Sequence, residues 1–122
     1  MLERSAGILL PLSSLPSPHG IGTMGKAAYD FADFLAAAGQ KYWQLLPLGP
    51  TSYGDSPYQS FSSFAGDPYF IDLELLVEDG LLVREEVDTC DWGSDARRID
   101  YGRLYENRFP LLAKAKARGY DR

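Results

Sequence analysis

Two short apolar runs with an amphipathic stretch between them constrain this chain most. Gly7-Ile8-Leu9-Leu10-Pro11-Leu12 is continuous and apolar, and Tyr42-Trp43-Gln44-Leu45-Leu46-Pro47-Leu48 repeats that character. Runs of this length read as strands covered on both faces, the pattern of a parallel sheet. Between them Ala27, Phe31, Phe34, Leu35 and Ala38 recur at helical spacing over residues 26–38. Thr23 is placed to cap the start of that helix and Gly39 lies just past its end. A tight turn cannot join parallel strands, whereas a helical crossover can. Residues 1–48 therefore spell a β-α-β unit, and the fold class is α/β.

The chain has 122 residues, the size of one small domain, and reads as a single unit over 1–122. Residues 49–72 form an aromatic loop, and residues 73–122 a helical or inserted region. Within the latter, Asp72 to Val77 predicts a short helix ended by Gly80, and Leu81-Leu82-Val83 is ambiguous. Residues 89–98 are polar and turn-like. Asp100 is placed to cap a last helix carrying Leu104, Tyr105, Leu111, Leu112 and Ala115, which Pro110 should start, kink or split.

Composition removes several functions. Seventeen acidic against 12 basic residues give a net charge of −5, and no basic run exceeds Arg97–Arg98. That excludes a nucleic-acid footprint and an anionic-membrane patch. No apolar segment approaches the roughly 20 residues of a membrane span. Cys90 is the single cysteine, so no internal disulfide forms, in keeping with a reducing, cytoplasmic setting.

Gly20-Ile21-Gly22-Thr23-Met24-Gly25 matches G-x-G-x-x-G, yet residues 13–19 separate it from the strand, and no acid lies near Leu45–Leu48 to hold a ribose. The glycines are read as permitting a tight loop before the helix, not as a dinucleotide site. His19 has no cysteine or second histidine near it, which argues against zinc. Asp30 and Asp33 are read as solvated, and Asp55 as bonding its own turn. Ser56, in G-D-S-P, has no evident base and reads as a turn former. No cofactor and no metal is expected.

The loop after the second run holds three tyrosines and three phenylalanines between Leu45 and Asp72, among prolines, glycines and serines. Loops leaving the carboxyl ends of parallel strands build binding sites. Rings held there by stiff turns offer flat platforms with polar groups between them, a surface suited to sugar rings. Phe61, Phe64 and Phe70 are assigned to the core. Tyr53 and Tyr58 fit either a rim platform or packing on composition alone.

The run KYWQLLPLGPTSYGDSPYQSFSSFAGDPYFIDL closely resembles the N-terminal signature of 4-alpha-glucanotransferases, the amylomaltase or disproportionating-enzyme family (glycoside hydrolase family 77). The opening GILLPLSSLPSPHGIGTMG and the later IDYGRLYENRFPLL are similar too, so the likeness extends from about Arg4 to Leu112.

The resemblance implies the N-terminal part of a (β/α)8 TIM barrel that moves α-1,4-glucan segments to glucose or another glucan. It implies a retaining mechanism, with an aspartate nucleophile, a glutamate acid/base, and a second sugar taking up the covalent intermediate. Ser56 and Tyr58 match positions lining the cleft beside the scissile bond. Tyr53 matches a ring of an outer glucan-binding groove, and Tyr105 its partner. Asp55, Pro57 and Gln59 match the motif in a scaffolding role. The family's catalytic carboxylates match nothing here, and a whole barrel needs about 250 residues. The chain is therefore expected to be a piece of the enzyme, inactive alone and prone to self-association, with a non-catalytic carbohydrate-binding module as the alternative.

Overall fold

The computed structural model of the chain describes residues 3–120, so Met1, Leu2 and the closing Asp121 and Arg122 lie outside it. Strand β1 (Gly7–Leu9) pairs in parallel with β2 (Tyr42–Gln44), Gly7 opposite Tyr42 and Leu9 opposite Gln44. Helix α1 (Lys26–Ala37) crosses between them. The expected β-α-β unit is present, but its strands are shorter than the apolar runs. The ladder ends where the Leu10 N–H donates to the Gln44 carbonyl at 3.1 Å. Pro11 and Pro47 lie just beyond and have no N–H to extend it.

The expectation that both strands are covered on two faces is overturned. Ile8, Leu9 and Tyr42 are exposed, Leu9 by 55%. A doubly covered strand needs partners on both sides, and one neighbour with one helix supplies only part of that cover. The Trp43 indole N–H donates to the Leu10 carbonyl at 2.9 Å, and its ring meets Phe31 of α1 edge-on with centroids 4.9 Å apart. Phe34, on the same apolar stripe, remains exposed.

Thr23 does not cap α1. Gly25 occupies that position, and the Thr23 hydroxyl instead donates to the Asp72 carboxylate. A Cβ at residue 25 would lie 2.0 Å from Asp72 Oδ2, so only glycine admits this approach. At the far end Gly39, at φ +71°, ends the helix as expected.

The core lies in the second half. Helices α2 (Leu73–Glu78), α3 (Arg84–Asp88) and α4 (Tyr101–Gly119) surround Leu73, Leu82, Val87, Leu111 and Ala115. A second cluster joins Ile21, Tyr69 and Leu104, and Trp92 packs against both. Each leucine buried this way contributes about 1.5–3 kcal/mol. Asp72 caps α2 by accepting from the Leu75 N–H at 3.0 Å, and Asp100 caps α4 by accepting from the Arg103 N–H at 3.1 Å. The Asp100 cap is where the sequence puts it.

Two features go beyond the sequence reading. Pro110 neither starts nor splits α4, which runs through it. Before it Leu104 is buried against Ile21 and Tyr69, and after it Leu111 is buried with Leu73, Leu82 and Val87, so both halves are packed, offsetting the lost backbone bond. The ambiguous 81–83 segment leads into α3, where the Glu86 carboxylate accepts from the Val83 N–H at 3.0 Å. Arg118 of α4 donates to both oxygens of Glu86, at 2.7 and 2.9 Å. This fork holds the Glu86 carboxyl down at about 2. Among the described residues no helix is long and apolar enough to cross a membrane.

Candidate functional site

Because β1 and β2 are parallel, residues 10–25 and residues 45–67 leave the sheet at the same edge. The second segment closes on itself: the Asp67 N–H donates to the Leu48 carbonyl at 2.9 Å. Above that base Thr51 and Ser60 form an antiparallel bridge, and the Ser52 N–H donates to the Gln59 carbonyl at 3.1 Å. The tip turns through Gly54 at φ +100° and Asp55 at φ +56°, left-handed positions that suit glycine and are tolerated by aspartate. The Asp55 N–H donates to the Ser52 carbonyl at 3.1 Å, so the turn is bonded through its main chain.

Serines hold the rest of the loop. Ser56 Oγ accepts from the Tyr58 N–H at 3.3 Å, which bears out the turn-forming reading. Ser62 Oγ accepts from the Phe64 and Ala65 N–H groups at 3.3 and 3.1 Å. Such local bonds satisfy the backbone without a core, leaving the larger side chains free of packing duty.

The rings go to different places. Tyr53 is fully exposed and Tyr58 is 73% exposed, while Ser56 beside it is half-buried. Tyr105 stands exposed on α4 with its ring 5.3 Å from Phe109, which in turn sits 5.4 Å from Tyr69. The structure thus brings Ser56 and Tyr58 into one turn. Among the described residues it records no ring contact between Tyr53 and Tyr105. The assignment of Phe61 and Phe64 to the core is overturned, since both face solvent, Phe64 completely. Their loop is secured by hydrogen bonds and needs no apolar plug. Phe70 does pack, against the Ile21–Tyr69–Leu104 cluster.

A depression adjoins each of the two loops. One of about 580 Å³ lies between residues 13–18 and residues 92–99. Another, of about 520 Å³, runs from Asp55 past Ser94 and Arg98 to Tyr101 and Arg103. Burial, then the nearby Asp55 and Asp67 carboxylates, push the Tyr101 phenol up, so it stays a neutral hydrogen-bonding group. The face therefore offers hydroxyls, phenols, amides and open rings. That set is chemically suited to a polyhydroxylated ring, through hydrogen bonds and C–H stacking.

A partly buried polar network went unforeseen. His19 is buried, with Nε2 3.4 Å from Glu74 Oε1 and its ring edge-on to Trp92. Glu74 accepts both arms of the Arg84 guanidinium, at 2.6 and 2.5 Å. Arg108 of α4, fully buried, donates to the carbonyls of His19 and Ile71. The sequence carries one clue: Arg108 falls at helical spacing with Leu104, Leu111 and Ala115, on the buried stripe of α4.

The family profile described as 4-alpha-glucanotransferase matches residues 10–122. The chain belongs to the 4-alpha-glucanotransferase family. It is 55% identical over 121 residues to the 4-alpha-glucanotransferase of Streptococcus pneumoniae serotype 4, covering 99% of this chain and 24% of that protein. The Thermus thermophilus 4-alpha-glucanotransferase is 54% identical over 114 residues, 93% of this chain and 22% of its own length. Among solved structures, the amylomaltase from Streptococcus agalactiae in complex with acarbose superposes with a TM-score of 0.94 at 44% identity. That match covers 98% of this chain and 24% of the amylomaltase. The chain thus spans about a quarter of the length of the 4-alpha-glucanotransferases it matches.

Proposed function

We propose that this chain is the N-terminal part of a 4-alpha-glucanotransferase and supplies one wall of its glucan cleft. The observation that carries this reading is the turn joining Ser56 and Tyr58, open to solvent at the edge where two parallel strands end. In this account β1, α1 and β2 are opening elements of a (β/α)8 barrel, and further strands cover the exposed Ile8 and Leu9. The loops at the carboxyl edge then line the active site, as in barrels generally.

The reaction is transfer of an α-1,4-glucan segment to glucose or another glucan. A carboxylate attacks the anomeric carbon and the bond to the leaving sugar oxygen breaks as a second carboxyl group protonates it. An acceptor hydroxyl then displaces the enzyme carboxylate and gives its proton to the acid/base group, so configuration is retained. Those carboxylates lie outside these 122 residues in this reading. Ser56 and Tyr58 contact the donor glucan next to the scissile bond, orienting it for attack. Tyr53 and Tyr105 hold the outer part of the glucan. The single, half-buried Cys90 suits a cytoplasmic setting.

The test is maltotriose disproportionation without any nucleotide sugar. The complete enzyme is expected to yield glucose and longer maltooligosaccharides, and the 122-residue chain alone to yield neither. Transfer by the chain alone, or none by the complete enzyme, contradicts the proposal.

A further inference from the structure

Arg108 occupies an expensive position. Its side chain is fully buried, and its hydrogen bonds go to main-chain carbonyls: Nη1 donates to His19 at 3.3 Å and Nη2 to Ile71 at 2.5 Å. Its Nε finds no hydrogen-bond partner. Burial lowers the guanidinium to about 10, with the carboxylates of Asp72 and Asp67 partly offsetting the cost through space. An apolar side chain would fill a helix–helix contact without that penalty. The geometry of the cation is therefore what the fold retains.

The segments it grips lead directly to the substrate-side loop. Ile71 ends the 3-10 turn Pro68–Phe70, which begins at Asp67, where residues 49–66 close onto Leu48. Asp67 is itself buried, its Oδ1 accepting from the Tyr69 N–H at 2.9 Å. His19 belongs to the other loop at the same edge. That loop is tied to the 67–72 segment twice more, by the Met24 N–H on the Phe70 carbonyl at 2.9 Å and by Thr23 on Asp72. One guanidinium on α4 thus spans the footings of both loops.

We propose that Arg108 is a positioning residue that fixes the base of the 49–66 loop, and with it Ser56 and Tyr58, against the loop leaving β1. This rests on the reading of residues 49–66 as a glucan-contacting loop. The planar fork sets the separation of two carbonyls from different segments, a constraint that apolar packing does not impose. Serine turns fix the loop internally but not its placement on the molecule, so its placement depends on this base.

The test compares Arg108→Gln and Arg108→Lys in the complete enzyme by hydrogen–deuterium exchange and maltotriose disproportionation. Arg108→Gln is expected to speed amide exchange within residues 49–66 about tenfold, the worth of one lost hydrogen bond, while α1 stays unchanged. It should lower kcat about 100-fold, the scale of a misplacement near 1 Å, with little change in KM. Arg108→Lys keeps the charge but not the fork, and should recover only part of both losses. Loop exchange equal to the unsubstituted enzyme, or acceleration spread evenly over the chain, overturns the proposal. If Arg108→Gln does not fold, Arg108→Lys decides: a small rise confined to 49–66 supports the role and no such rise refutes it. If the unsubstituted enzyme transfers no glucan, the functional reading fails, and exchange alone still decides the positioning role.

Discussion

The amide of Asp67 donates to the carbonyl of Leu48 at 2.9 Å, so the aromatic loop leaves and rejoins the fold at one point. The Asp67 side chain reinforces that point by capping the 3-10 turn at Tyr69. Replacing Asp67 with alanine removes the cap and should cost about 1 kcal/mol. Limited proteolysis should then cut within residues 49–66 sooner than in the unsubstituted chain. Equal cleavage rates would show that the loop is held from elsewhere.

The outward face of the sheet gives a second prediction. Leu9 is 55% exposed and shares its face of the sheet with exposed Tyr42, an apolar patch of the sort that drives association. Leu9→Ser in the 122-residue chain should shift sedimentation toward monomer with little change in unfolding midpoint. Leu73→Ala, at a position with no exposure, should instead cost about 2–5 kcal/mol. A monomeric unsubstituted chain at high concentration would count against the patch as an association surface.

Much of this fold was legible because its signals are local. Helix α1, the short helix α2, the cap Asp100 and the stop at Gly39 depend on a few adjacent residues, and each lies where the sequence puts it. Burial was less legible because it depends on what a side chain meets. The apolar runs around Ile8 and Trp43 give strands, but two strands and one helix leave them partly bare. Phe61 and Phe64 read as core by chemistry alone, whereas serine turns let their loop stand without them. Helix α3 has too few residues to show a period, with Val87 its one buried side chain. At the site, the exposure of Tyr53 and Tyr58 follows from the turn residues around them. Arg108 was hidden because a charged residue at apolar spacing reads as surface until its acceptors are seen.

Acid should lower the stability of the chain in two steps. Burial lowers His19 below its ordinary 6.5, outweighing Glu74, with Arg108 and Arg84 adding to the lowering and Asp72 opposing it. The unfolded imidazole therefore takes up its proton at higher pH than the folded one. Stability is full above about pH 6.5 and falls as pH drops toward the lower folded value. Glu86 is held near 2 by Arg118, so its contribution is present above about 4.5 and is lost as pH falls toward 2. Thermal midpoints against pH should show both declines, and His19→Gln should remove the first alone. A midpoint unchanged between about pH 7 and 5 would contradict the first step.

The central claim is that residues 49–66 hold glucan through Tyr58, which shares the tip turn with Ser56. Tyr58 and Phe64 are both exposed aromatics of one loop, so truncating either costs the fold little. The decisive measurement is kcat/KM for maltotriose disproportionation by Tyr58→Ala and Phe64→Ala in the complete enzyme, at equal folded fraction. Tyr58→Ala is expected to lose about 10-fold to 100-fold, the worth of one substrate contact, with Phe64→Ala near the unsubstituted value. Equal losses from the two substitutions, or none from Tyr58→Ala, would contradict the account.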